Sequence, residues 1–115
     1  MSSRPRDGAA RSLQQSAPVF AALGDATRLL LVSRLSSGTP LSIRRLTEGS
    51  RLTRQAITKH LRVLASSGLV RGVRRGRESL YELRPKPLDE ARSALESISR
   101  QWDDALARLR SFVEE

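Results

Sequence analysis

Leu52-Thr53-Arg54-Gln55-Ala56-Ile57-Thr58-Lys59-His60-Leu61-Arg62-Val63-Leu64-Ala65-Ser66-Ser67-Gly68-Leu69-Val70 is the stretch from which the fold is read. Ile57, Leu61 and Leu64 recur at i, i+4 and i+7, the spacing of one buried stripe on a helix. Thr53 ahead of the stripe is a good N-cap, and Gly68 behind it is a C-terminal stop. A helix over 53–67 is therefore predicted. Arg54, Gln55, Thr58, Lys59 and Arg62 fall mostly on its other side, which holds no acidic residue. Such a polar, cationic face on an apolar back suits a polyanionic partner.

Downstream the period shortens to that of a strand. Leu69–Arg74 and Glu78–Leu83 are short strand-like runs joined by Arg75-Gly76-Arg77, a β-hairpin in which glycine supplies the positive φ of the turn. Arg74, Arg75 and Arg77 crowd its tip, while Arg71 is placed to pair with Glu82 across the strands. Pro85 and Pro87 then end the strand and open a last helix, Pro87 suiting a first turn. In that helix Leu88, Ala91, Leu95, Ile98, Trp102, Ala105, Leu109 and Phe112 follow one another in alternating steps of three and four, a coiled-coil-type seam. The rest of the domain, about 75 residues, has its own small core to build, so the seam is predicted to be buried by dimerisation, with Trp102 as an interface anchor.

Upstream, Leu41 to Glu48 reads as one or two helical turns capped by Ser42, with Ile43 and Leu46 pointing inward, followed by a Gly49-Ser50 turn. Asp25 caps a preceding helix whose apolar side is formed by Leu29, Leu30, Val32 and Leu35, closed by Ser36-Ser37-Gly38. Before it, Leu13, Ala17, Phe20, Ala21 and Leu23 lie at helical spacing, with Pro18 placing the ordered start near Ser16 and Gly24 ending the run. Residues 1–12 are polar and aperiodic and are predicted to be a disordered tail. The expected organisation is thus tail 1–12, DNA-binding domain 13–86 and dimerisation helix 87–115.

The chain has 115 residues and a net charge of +9, and the charge is not spread evenly. Residues 39–86 hold twelve basic and three acidic side chains, a surplus equal to that of the whole chain, whereas residues 87–115 hold four basic and seven acidic. Nineteen of the 21 basic residues are arginine, whose planar fork matches phosphate oxygens and guanine edges. With no cysteine there is no disulfide, thiolate metal site or thiol redox switch, and a single histidine excludes multi-histidine sites and a Ser/His/Asp arrangement beside the helix it occupies. Asp103 and Asp104 project about 100° apart on a helix and do not converge as an acid–base pair. No enzymatic activity, cofactor or metal is expected. No apolar window reaches the length of a membrane span or a secretory signal, so a cytoplasmic protein without membrane partner is expected.

Helix, helix, short helix, turn, cationic helix, Arg-tipped hairpin and long helix is the order of a winged helix-turn-helix, mainly α with a small β-hairpin. The runs Phe20-Ala-Ala-Leu-Gly-Asp-Ala-Thr-Arg28, Leu52–Leu64 and Ser67-Gly-Leu-Val70, with Gly76-Arg-Glu78 and Tyr81-Glu-Leu83 behind them, resemble the ArsR (ArsR/SmtB-type) family of bacterial transcriptional regulators over roughly residues 17–113. The resemblance implies a homodimer joined through its first and last helices, Phe20 included, that binds a palindromic operator in double-stranded DNA, usually as a repressor. The positions matching the family's Cys-x-Cys metal motif are Ser42 and Arg44, and the last helix carries no histidine, so metal sensing of the familiar kind is not expected.

Within this reading Gln55 suits adenine, Arg54 or Lys59 suits guanine or phosphate, and Thr58 a thymine methyl or phosphate. Thr53 opens the same helix. Arg44, Arg45 and Arg51 are assigned to backbone phosphates, and Arg74, Arg75 and Arg77 to phosphates or the adjacent minor groove. His60 is read as a packing or phosphate-contact residue. A non-specific nucleic-acid-binding protein and a protein-interaction adaptor are the alternatives that the charge also fits; a low aromatic content speaks against single-strand binding.

Overall fold

Side-chain caps set the starts of three helices in the computed structural model, which describes residues 4–114. Asp25 accepts the Arg28 backbone N–H and opens α2 (Ala26–Leu35), preceded by α1 (Arg4–Leu23). Ser42 accepts the Arg45 N–H and opens the short α3 (Ile43–Thr47). Thr53 accepts the Ala56 N–H at 3.1 Å and opens α4 (Arg54–Ser66). Each cap satisfies a donor that the first helical turn leaves without a partner. At the other end of α4, Gly68 (φ 84°) reverses the chain. Its N–H reaches the Ala65 carbonyl and that of Leu69 the Leu64 carbonyl, the paired bonds of a Schellman stop.

The reversal leads directly into the wing. After a two-residue strand β1 (Leu41–Ser42), the strands β2 (Val70–Arg75) and β3 (Glu78–Leu83) form an antiparallel sheet of order β1–β3–β2. Arg75 stands opposite Glu78, and Gly76 (φ 60°) takes the first central position of the two-residue turn, as a type II′ hairpin requires. Arg71 stands opposite Glu82 and its Nη2 lies 3.2 Å from the carboxylate, the cross-strand pair expected from the sequence. The pairing of Leu41 with Tyr81 through β1 has no counterpart in the sequence pattern, because two residues ahead of a helix carry no alternation to read.

Leu31, Val32 and Leu35 of α2, Leu46 of α3, Ile57, Leu61 and Leu64 of α4, and Leu69 and Val70 at the start of the wing make one core. The stripe expected on α4 is buried in full. On α2 the phase differs from the reading of the sequence: Leu29 and Leu30 are exposed and Leu31 is inside. Four apolar residues in succession, Leu29 to Val32, leave the inward face undefined until the neighbouring helices select it.

The terminal helices depart further from expectation. α1 spans Arg4–Leu23, so a helix occupies most of the stretch assigned to a tail, with Met1–Ser3 outside the described residues. Packing supplies what local pattern lacks. Ser16, Val19 and Ala22 are buried where α1 lies along the final helix α5 (Pro85–Glu114), and extending a helix that is already nucleated is inexpensive. Pro18 sits inside α1 rather than at its start; both it and Gln14, whose carbonyl it leaves without a donor, are on the exposed side, where water can substitute. In α5, Ala91 and Ala94 are buried against the chain's own helices and Leu88 packs on the same core. Ala91 is therefore a core residue, a correction to its place in the predicted dimer seam, while Leu88 is half-buried on the same core. Among the described residues no helix is long and apolar enough to cross a membrane.

Candidate nucleic-acid interface

The face of α4 opposite its buried stripe presents Thr53, Arg54, Gln55, Thr58, Lys59 and Arg62 together. Arg54, Gln55, Lys59 and Arg62 are exposed, and among the described residues none of the three cations is in an ion pair. Their positive field is thus left for an external anion. Two hydroxyls of the face are partly occupied. Thr53 caps the helix and keeps its own proton to donate, whereas Thr58 donates to the Arg54 carbonyl at 2.7 Å and presents its methyl group and lone pairs.

Elements behind the helix hold this face in place. Arg34 of α2 donates to the Leu46 carbonyl (2.8 Å), at the end of the five-residue α3, and to the Arg45 carbonyl (2.7 Å), which also accepts the Glu48 N–H. The helix–turn–helix is thereby clamped to α2. Arg44 and Arg45 are exposed on α3, Arg45 lying 3.7 Å from Glu48, and Arg51 is exposed in the turn. Arg74, Arg75 and Arg77 are exposed around the hairpin tip. The twelve residues proposed from the sequence thus sort into a tight group on α4 and two satellite groups, on α3 with its following turn and on the wing. Ser42 and Arg44, the positions of the family's metal motif, are here a helix cap and an exposed cation.

One group is invisible to sequence reasoning. His60 points away from this face: its Nδ1 lies 3.7 Å from Asp25 Oδ2 and 3.4 Å from Arg28 Nη1. Arg28 also donates through Nε to the Ala22 carbonyl. The Arg28 backbone N–H holds the Asp25 carboxyl below the usual carboxylate range, with the Arg28 and His60 charges acting in the same sense. The sequence marks Asp25 only as a cap and Arg28 only as part of a resemblance. Nothing in a linear pattern joins positions 25, 28 and 60.

An amphipathic helix presented by a helix–turn–helix, flanked by a cationic hairpin, defines a winged helix-turn-helix protein. Comparison with known proteins makes the class specific. The chain is 40% identical over 76 residues to the HTH-type transcriptional regulator YuzN of Bacillus subtilis, covering 61% of this chain and 83% of that protein. Its fold is similar to an ArsR-like transcriptional regulator from Rhodococcus sp. RHA1, with a TM-score of 0.72 and 36% identity, covering 86% of this chain and 92% of that one. It is also similar, at a TM-score of 0.61 and 25% identity over 84% of this chain and 86% of that one, to the homodimeric winged helix-turn-helix DNA-binding domain of Mb0332 from Mycobacterium bovis. No protein-family model matches the sequence. The chain belongs to the ArsR family of transcriptional regulators, a family of DNA-binding proteins and not of enzymes.

Proposed function

We propose that this regulator is a homodimeric repressor that reads a palindromic operator, with α4 of each protomer in a major groove and each wing on the flanking backbone. The observation that carries the reading is the outward face of α4, where Arg54, Gln55, Lys59 and Arg62 are exposed with no acidic residue on the helix, opposite the buried Ile57, Leu61 and Leu64. A helix fits the major groove, where Gln55 is suited to adenine and Arg54 or Lys59 to guanine, while Arg44, Arg45, Arg51, Arg74, Arg75 and Arg77 are placed to meet phosphates. Repression follows from occupying promoter DNA.

The dimer reading rests on α5. Beyond its buried first turns the helix exposes Leu95, Ile98, Trp102, Leu106, Leu109, Phe112 and Val113, with Ala105 half-buried among them. A second copy of the helix buries that stripe, and partly buried Phe20 stands with α1 at its near end. Selection of bound sequences from random duplex, followed by titration, tests the function. The expected result is a palindrome with half-site centres about 34–36 Å apart or farther. With about four phosphates neutralised per protomer, log K should fall against log salt with a slope near −7, from about −0.9 per phosphate. Equal affinity for all duplexes, or affinity insensitive to salt, would overturn it.

A further inference from the structure

We infer that Arg34, in the last turn of α2, is a positioning residue for operator recognition: by holding two successive carbonyls of α3 it fixes the point from which the chain departs toward α4. The inference rests on the DNA-binding reading above. By residue type alone Arg34 is an ordinary cation at the end of a helix, complementing that helix's own dipole. The fold sends it elsewhere. Its Nη1 donates to the Leu46 carbonyl at 2.8 Å and its Nη2 to the Arg45 carbonyl at 2.7 Å, one planar fork laid across two adjacent peptide groups.

Those peptides stand where the chain leaves α3. The Arg44 and Arg45 carbonyls accept the Glu48 N–H and the Thr47 carbonyl that of Ser50, whereas among the described residues the donor to the Leu46 carbonyl is Arg34. From there the chain turns through Gly49 (φ 74°) and Ser50, whose Oγ accepts the Leu52 N–H at 3.0 Å, and reaches the Thr53 cap of α4. The bonds within this turn are local, so the turn follows the peptides from which it starts. Buried Leu46 and Ile57 keep both helices on the core without the fork, but apolar contact is non-directional and leaves small rotations open. The fork removes that freedom. Arg44, Arg45 and Arg51 belong to the segment it steadies, and Arg54 and Gln55 follow directly behind the cap. With both Nη atoms engaged by protein carbonyls, Arg34 acts on DNA through this segment.

The test is a charge-matched series on the full chain, wild type, Arg34→Lys and Arg34→Met, titrated with the duplex that the wild type selects and with random duplex. Arg34→Lys keeps the charge but not the fork. Both variants are expected to bind the selected duplex about tenfold more weakly, the worth of one hydrogen bond, because water can replace the guanidinium at the exposed end of the fork. For random duplex Arg34→Lys is expected to keep the wild-type affinity, and Arg34→Met to keep the wild-type salt slope, since no phosphate contact is lost. Hydrogen exchange should quicken at the Glu48 and Ser50 amides and stay unchanged in β2 and β3, a pattern that general destabilisation would not give. Circular dichroism checks the fold, and Arg34→Lys carries the test if Arg34→Met is not folded. Wild-type affinity of Arg34→Lys for the selected duplex would overturn the inference, as would an equal loss on both duplexes. A salt slope shallower by about 0.9 in Arg34→Met would make Arg34 a phosphate ligand and overturn it too. Absence of a preferred duplex for the wild type would instead overturn the function on which it rests.

Discussion

α4 and α5 are both amphipathic, yet they resolve their apolar faces in opposite ways. The 13 residues of α4 bury Ile57, Leu61 and Leu64 in the protomer's own core and turn a cationic face outward. The 30 residues of α5 bury only Ala91 and Ala94 and leave Trp102, Leu109 and Phe112 at 63%, 59% and 79% exposure. At 1.5 Å per residue α5 is about 45 Å long, more than so small a core can cover. What remains exposed on each helix names its partner: charge without counter-charge on α4 calls for a polyanion, apolar surface without cover on α5 calls for another apolar surface.

The contrast can be broken from either side. The largest effect is expected from Trp102→Glu with Leu109→Glu, or from Leu95 and Ile98 replaced by Asp. Sedimentation should show a monomer, and operator affinity should fall roughly 10²- to 10⁴-fold as two linked half-sites become independent; an unchanged dimer would refute the seam. Gln55→Ala should leave the dimer intact and cost about 1–3 kcal/mol of discrimination at one operator position, read by competition among single-base variants. Replacing Arg75 and Arg77 by alanine should weaken binding to all sequences alike and make the salt slope shallower by about 0.9 for each phosphate that is no longer neutralised.

Smaller effects separate the scaffold from the face it carries. Thr53→Ala removes the α4 cap and should cost about 1 kcal/mol in denaturant unfolding. The Asp25 cap adds an acid limb to stability. Its folded pKa lies below the unfolded value, so its contribution is full above the ordinary carboxylate range, near 3.9, and disappears as pH falls through the lowered value. Asp25→Asn should flatten that limb of a melting-temperature profile. Breaking the Arg71–Glu82 pair is expected to matter least, at most about 1 kcal/mol, because Arg71 is 62% exposed.

Much of α4 and the wing is legible in the sequence because their determinants are local. A hydroxyl three residues before an N–H, apolar residues four apart, a glycine in a two-residue turn and opposite charges in register act over one turn or one strand pair. Thr53, Ile57, Gly68, Gly76 and the Arg71–Glu82 pair all fall in this group, and with them the cationic face of α4. The inward phase of α2, the helical course of α1 past Pro18 and the internal use of Ala91 depend on which surfaces meet at long range.

The order of elements, the cationic outer side of α4 and the seam of α5 are settled by residue types and their spacing, since these follow from backbone geometry alone. Where α5 passes from core to open surface is settled by packing, because a heptad stripe reads the same whether its cover is the chain's own α1 or a second helix. The convergence of Asp25, Arg28 and His60 is likewise a product of the fold. Residues 32 positions apart share a hydrogen bond only after α2 and α4 have closed on a common core.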